Sequence, residues 1–444
     1  MSLTASQRRN SELGLGLLAV IITVGGYILV ALSEGPSLPA NLWFFLAVLI
    51  GLYVVAHLAV RALAPRADGT LLPLAALLNG IGFVVITRID RDAQDQLAPS
   101  QAVWTMVGVG AFIGTLWVVR RVHLLERYRY TFLFLGLFAL LLPLAPGLGR
   151  EINGARLWVR LGPINFQPGE LAKVLLTIFF AAYLVDKREL LASGSRRVGR
   201  LMLPAAKHLG PLVLAWGVSI LIMVRQKDLG SSLLFFALFA AMLYIATQRA
   251  FYLLSGLGLF MIGASISYQL FGHVRDRVTT WIDPFSHAQG KGFQLTQSLF
   301  SFGTGGFAGT GLGLGNPQLI PNAATDFVFS AIGEELGLLG TAAVLCAILL
   351  FVGTGFSIAI RAERPFSKLF AAGLTIIIGL QTFVIIGGVT RVIPLTGVTL
   401  PFISYGGSSL VANWIILALL LRISDDNARA GSGVGRRARV GAAA

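Results

Sequence analysis

The sequence predicts an all-α, polytopic membrane protein with about 12 transmembrane helices and both termini in the cytoplasm. Three observations carry this. Of 444 residues, 55% are hydrophobic and only 12% charged, with a mean hydropathy of +0.78; a soluble domain has roughly 25% charged residues. Apolar runs of about 17–25 residues, the length of a membrane-spanning helix, recur along the whole chain. The basic residues fall between these runs and favour alternate connections.

The runs lie near residues 13–32, 41–60, 70–87, 102–119, 131–147, 171–185, 210–224, 229–247, 251–270, 327–359, 368–389 and 402–421. None sustains a period of two, which argues against a β-barrel. The first follows Arg8 and Arg9 like a secretory leader, but it is near full spanning length and opens through SEGPSLPA into a second span. With the N-terminus inside, the cytoplasmic segments hold 23 Lys and Arg and the outer connections 12. The opposite orientation would reverse the bias. The net charge of +15 therefore reads as a membrane-facing surface, not a nucleic-acid site. Cys346 is the one cysteine, so no disulfide framework exists. His57, His123, His208, His273 and His287 show no metal-ligand spacing. The tail 425–444, rich in Gly, Ala and Arg, is expected to be a disordered basic cytoplasmic tail.

The outer connections are unequal. Residues 33–40 and 225–228 are short, whereas 148–170 and 271–325 are long and rich in Gly, Pro and polar groups. Long structured loops are disproportionately functional. The second holds glycine at seven of the thirteen positions 303–315. That run reads either as a flexible re-entrant turn or as a backbone cradle for a ligand. Before it, GFQLTQSLFSF (292–302) alternates like a short amphipathic helix, with Gln294, Gln297 and Ser298 on one face. In the first loop Arg156, Trp158 and Arg160 alternate as in an extended segment, and Gln167-Pro168-Gly169-Glu170 looks like a helix start. Glu170 and Lys173 are i, i+3 neighbours, either a plain ion pair at a helix mouth or part of a polar site.

The stretch ATDFVFSAIGEELG (324–337) opens an apolar run yet carries Asp326, Glu334 and Glu335. A carboxylate facing lipid costs roughly 2.5–3.5 kcal/mol on insertion scales. Asp326 reads as an N-cap or first-turn aspartate, or as a catalytic group. Glu334 lies roughly 12 Å further along the axis and about 80° around it, so the two cannot form a close acid/base pair. Glu334, Glu335, Asp228 and Arg391 are expected in structural ion pairs, with Lys173, Arg225, Lys227 and Arg391 as candidate basic partners. The segments VRQKDLGSS (224–232) and 387–414 interrupt spans with polar residues, Gly and Pro, as cavity-lining segments do.

At these motifs the chain resembles the SEDS family (RodA/FtsW). The matching segments are GARLWVRLGPINFQPGELAK (154–173), QKDLGSS (226–232), DPFSHAQGKGFQLTQS (283–298), TDFVFSAIGEELG (325–337) and GVTLPFISYGGSS (397–409), in family order across roughly residues 70–422. The resemblance implies a ten-helix core at 67–424 with a large extracytoplasmic loop 271–325, preceded by a two-helix addition at 1–66. It implies a peptidoglycan glycosyltransferase that polymerises lipid II at the outer membrane face beside a class B penicillin-binding protein. Within the family the elongation type is favoured. The family's essential aspartate falls on Asp326 as general base. Arg156, Trp158, Glu170, Lys173, Arg275, Arg277, Lys291, Gln294, Ser298 and Ser404 are the expected substrate-binding residues. Three departures stand out: Gly169 replaces a serine, His287-Ala288 a second Asp-Pro, and Pro321-Asn322 a Pro-Glu. They put a metal-binding role for those loop carboxylates in doubt. The cofactor is unknown: a divalent cation is allowed, but no ligand set is evident. The leaving diphosphate is already anionic, so a single base suffices, whereas glycosidases need two carboxyls. The rival readings are a lipid II flippase, which needs polarity through the full bilayer depth, and a scaffold that only activates a transpeptidase.

Overall fold

The computed structural model describes residues 5–33, 42–93, 96–152, 154–162, 164–192, 196–198, 201–203 and 206–441. The linker expected at 33–40 lies almost wholly outside these, as do residues 442–444. Helices dominate: α1 (Ala5–Leu32), α2 (Leu42–Leu63), α3 (Leu71–Ala93), α4 (Leu97–Val118), α5 (Arg129–Leu141), α6 (Pro168–Asp186), α7 (Arg188–Ala192), α8 (Ala206–Arg225), α9 (Leu229–Thr247), α10 (Ala250–Leu270), α11 (Gly272–Ile282), α12 (Phe293–Gly305), α13 (Val328–Arg361), α14 (Pro365–Val389) and α15 (Gly407–Gly441). Among the described residues, eleven helical segments are long and apolar enough to span a membrane. The twelfth expected span, α8, is helical, but its described apolar part, Leu209–Arg225, is shorter.

The chain divides into two compact units. The first comprises residues 1–120, 272–354 and 381–444. In it α15 packs on α4, and α1 on α3. Missing side chains permit the close crossing of α15: a Cβ on Gly108 would meet the Trp414 ring at 2.5 Å, and one on Gly407 the Trp104 ring at 2.0 Å. Tyr27, Val30, Leu46, Phe83, Val84 and Ala98 form an apolar cluster joining α1 to α4. At the other end of α1, buried Glu12 receives Arg9 and His57, while Arg9 also donates to the Ala67 carbonyl. Asp425 of α15 accepts the Arg66 amide. α15 runs on through residues 425–441 of the expected basic tail. Its alanines and arginines are strong helix formers.

The second unit comprises residues 121–271 and 355–380. Here α5 packs on α6, and α8 and α10 on α9. The segment expected to be extended is the centre of an antiparallel three-stranded sheet, β1 (Gly149–Ile152), β2 (Ala155–Leu161) and β3 (Ile164–Phe166). Pro168 then opens α6, where its missing N–H is not needed.

Candidate active site

Asp326 lies in the turn just before α13, not at its N-cap. The turn is shaped by Asn322, whose left-handed φ of 61° lets its carbonyl accept from the Thr325 amide and hydroxyl. A second loop, 397–405, grips it. The Ser404 hydroxyl donates to the Thr325 carbonyl at 2.5 Å and accepts the Leu400 amide at 2.9 Å. The Tyr405 amide donates to the Ala324 carbonyl at 2.8 Å. Ser404 is therefore a buried support of the Asp326 turn, where the sequence suggested a substrate contact.

Gly397 is the close neighbour of the carboxylate. It has a φ of 73°, and a Cβ there would sit 3.4 Å from Asp326 Oδ2 and 3.8 Å from a terminal nitrogen of Arg277. Arg277, on α11, donates to the Thr396 carbonyl at 3.0 Å. Burial pushes the Asp326 carboxyl up from 3.8 to about 6, against the pull of Arg277 and of the Thr325 hydroxyl. A helix N-terminus would have lowered it. Asp326 thus remains mostly ionised near neutral pH, but is a stronger base than an ordinary aspartate.

The helix that carries Arg277 was not foreseen. The spacing of Val274, Val278 and Trp281 in GHVRDRVTTWI is its signal. Arg275 is exposed on the same helix, and exposed Lys291 pairs with Asp276 at 2.7 Å. The expected amphipathic helix is α12. Gln294 is half-buried on it, whereas Ser298 is a correction. It is fully buried and bonds the Ser330 hydroxyl at 2.7 Å and the Val389 carbonyl at 3.0 Å, packing α12 in place instead of facing substrate.

The glycine-rich run has a structural role. At Gly337 the backbone of α13 leaves helical geometry, with φ 63° and ψ −163°. The loop supplies what the break leaves open. The amides of Thr310 and Gly311 bond the carbonyls of Glu334 and Glu335 at 2.9 Å, and those of Leu338 and Leu339 bond the carbonyls of Gly306 and Phe307. A Cβ on Gly309 would lie 2.2 Å from the Glu335 carbonyl oxygen. The buried carboxylates complete the clamp. Glu335 pairs with Arg88 of α3 at 3.1 Å and accepts the Gly313 amide at 3.0 Å. Glu334 accepts the Asn316 amide at 2.9 Å, and Arg88 also reaches the Gly315 carbonyl at 2.9 Å. The partner of Glu335 is thus Arg88, not one of the four expected basic residues. Arg391 is a second correction: it donates to the Trp281 and Ile282 carbonyls, capping the C-terminus of α11.

In the other unit, Glu170 and Lys173 form a buried ion pair at 2.8 Å, their side chains engaged with one another rather than turned outwards. Asp228, expected in an ion pair, is the N-cap of α9 and accepts the Ser231 amide at 2.9 Å. Arg156 is exposed on β2 and pairs with Glu151 at 3.3 Å, and Trp158 is half-buried beside it. No group of three His, Cys, Asp or Glu close enough to hold a metal occurs among the described residues.

Fold and site define a polytopic membrane protein with a half-buried, basic carboxylate at the mouth of a broken helix. The model of the FtsW/RodA/SpoVE family, described as cell cycle protein, matches residues 69–429, and the chain belongs to this family. The peptidoglycan glycosyltransferase RodA of Mycobacterium tuberculosis is 45% identical over 94% of this chain and 90% of its own length. The Mycobacterium leprae RodA is also 45% identical, over the same shares. The probable peptidoglycan glycosyltransferase FtsW of Nitrosococcus halophilus is 35% identical over 82% and 94%. The RodA type is therefore favoured. Among solved structures, one from work titled "Structural coordination of polymerization and crosslinking by a peptidoglycan synthase complex" aligns with a TM-score of 0.65 at 28% identity, over 81% of this chain and 98% of its own. A point mutant of the Thermus thermophilus rod shape determining protein RodA gives 0.58 at 27%, over the same shares. The chain is a multi-pass protein of the bacterial inner membrane.

Proposed function

We propose that this peptidoglycan glycosyltransferase polymerises lipid II at the outer face of the cytoplasmic membrane, with Asp326 as its general base. The observation that carries the reading is a half-buried aspartate held near pKa 6 in a turn fixed from two sides. Asp326 takes the proton of the attacking sugar hydroxyl. The hydroxyl oxygen bonds to the anomeric carbon of the donor, and the bond from that carbon to the diphosphate breaks. The leaving group departs with its charge, so no acid is required. Arg277, with Arg275 and Lys291 as further cations of the same region, stabilises the charge that develops. Arg156, Trp158 and Gln294 remain the exposed or half-exposed candidates for holding the substrate. The partner is a class B penicillin-binding protein. The synthase complex among the solved neighbours supports a partnered polymerase.

The test is a polymerisation assay on the purified protein, with and without its transpeptidase, comparing wild type with Asp326→Asn at matched folded amounts. A glycan ladder from wild type that the variant lacks is the expected result. Ladders from both would keep the polymerase and reject Asp326 as base. No ladder from folded wild type in its complex would reject the polymerase and direct attention to lipid flipping in vesicles.

A further inference from the structure

A polar cavity of about 460 Å³ lies in the unit of residues 121–271 and 355–380, lined by Glu151, Gly154, Arg156, Arg225, Gln226 and Lys227. We propose that it binds an acidic peptide bearing at least two carboxylates and one ammonium group, the peptide portion of the lipid-linked substrate. The inference rests on the polymerase reading and its outward orientation, and deepens it.

Its construction comes first. The β1–β2 hairpin turns at Gly154, whose φ is 78°, and the Arg156 amide donates to the Gln226 carbonyl at 3.2 Å. That bond fixes the hairpin to the end of α8. There the Asp228 amide reaches back to the Met223 carbonyl and the Lys227 amide to that of Val224. This is a Schellman ending, in which the residue at Lys227 takes a left-handed conformation; its φ is 63°. Glycine is the usual occupant, since it adopts that conformation without strain. A lysine there places a cation on the cavity wall at a cost to the backbone, the pattern expected of a functional position.

The charges then select the ligand. Three cations line the space, on the side of the membrane where Lys and Arg are depleted. They call for carboxylates or phosphates. Among the described lining residues one carboxylate, Glu151, shares the wall and orients Arg156 at 3.3 Å. The wall stays net positive and attracts anions, and Glu151 adds an acceptor that an ammonium group can use and a diphosphate cannot. A volume of this size lies within the range of small-ligand pockets. Each disaccharide unit of a peptidoglycan precursor carries such a peptide.

The experiment uses the full chain in detergent and titration calorimetry with three probes: the N-acetylated tripeptide Ac-Ala-γGlu-Lys, its carboxamide with both acids blocked, and inorganic diphosphate. Lys227→Gly is the key variant, because glycine suits the backbone there and its thermal stability should match or exceed wild type. The free tripeptide should bind wild type, and either blocking its acids or Lys227→Gly should weaken binding about threefold to fivefold, the size of an exposed charge pair. Equal binding of free and blocked peptide, binding unchanged in Lys227→Gly, or binding of diphosphate without peptide would each overturn the proposal. A polymerisation assay on the same preparation separates the two readings. Wild type that binds the peptide but makes no polymer rejects the polymerase and keeps the site. Wild type that polymerises without binding the peptide rejects the site alone.

Discussion

Replacing Asp326 by Asn should abolish activity and stabilise the fold. In the folded protein the carboxyl titrates near 6, against 3.8 for an ordinary aspartate. Below pH 3.8 the group is protonated in both the folded and the unfolded chain and has no effect on the balance. Between 3.8 and 6 the folded state holds the proton and the unfolded state has lost it, so stability falls as pH rises. Above 6 the loss is complete. A shift of roughly two units corresponds to about 3 kcal/mol, and solvent on the exposed side of the carboxyl reduces it to ~1–3 kcal/mol. Asparagine has no charge to desolvate, so the variant should unfold at a higher temperature than wild type, and its advantage should grow from about pH 4 to about pH 7 and stay constant to pH 8. Over the same range wild-type kcat/KM should rise with pH and level off above about 7, reporting the base in the free enzyme. Thermal unfolding in detergent and initial rates of glycan formation provide the two curves. A variant less stable than wild type at pH 8, or a rate profile with no ionisation near 6, would refute the reasoning.

Three further outcomes follow from the supports of this turn. Arg88→Met leaves Glu335 buried without its partner and should cost about 3–5 kcal/mol, with much of that recovered in Arg88→Met/Glu335→Met, both read by thermal unfolding. Gly309→Ala places a methyl against the Glu335 carbonyl at a φ of 84°, and should lower the folded yield in detergent severalfold. Ser404→Ala removes the bridge between the Leu400 amide and the Thr325 carbonyl; it should destabilise by about 1–2 kcal/mol and reduce kcat more than it changes KM.

The spans were legible because lipid imposes a length and a polarity that sequence shows directly. Asp326 and the extended Arg156–Arg160 segment were legible too, one as a charge at a span's edge and the other by its alternation. What was not legible depends on contacts distant in sequence. Arg88 lies 247 residues from Glu335 and carries no local sign that it is the partner. Ser298 shares a helix face with Gln294, but only packing against Ser330 and Val389 decides that one is buried and the other half-exposed. Arg391 and Asp228 were paired by charge with other side chains, whereas helix ends offered them backbone partners instead. Backbone groups at helix ends must be satisfied before any surface pairing contributes much.

The three carboxylates at the start of α13 can now be separated by cause. A helix that breaks inside a membrane exposes backbone groups, each costing several kcal/mol if left unpaired. The loop 303–317 pairs them at Gly337, and only glycines let it approach closely enough. Glu334 and Glu335 hold that loop through the amides of Asn316 and Gly313 and through Arg88. The same loop leads within a few residues to the Asp326 turn, whose other side is held by Ser404 and Tyr405. Two carboxylates are therefore consumed in fixing the backbone, and the third, Asp326, is left beside Gly397 and Arg277 at the mouth of the helix. Substitutions at Arg88 or Glu335 should act on catalysis by displacing Asp326, lowering kcat while leaving the midpoint of the pH profile near 6. A shifted midpoint would mean that they change the electrostatics of the base and not its position.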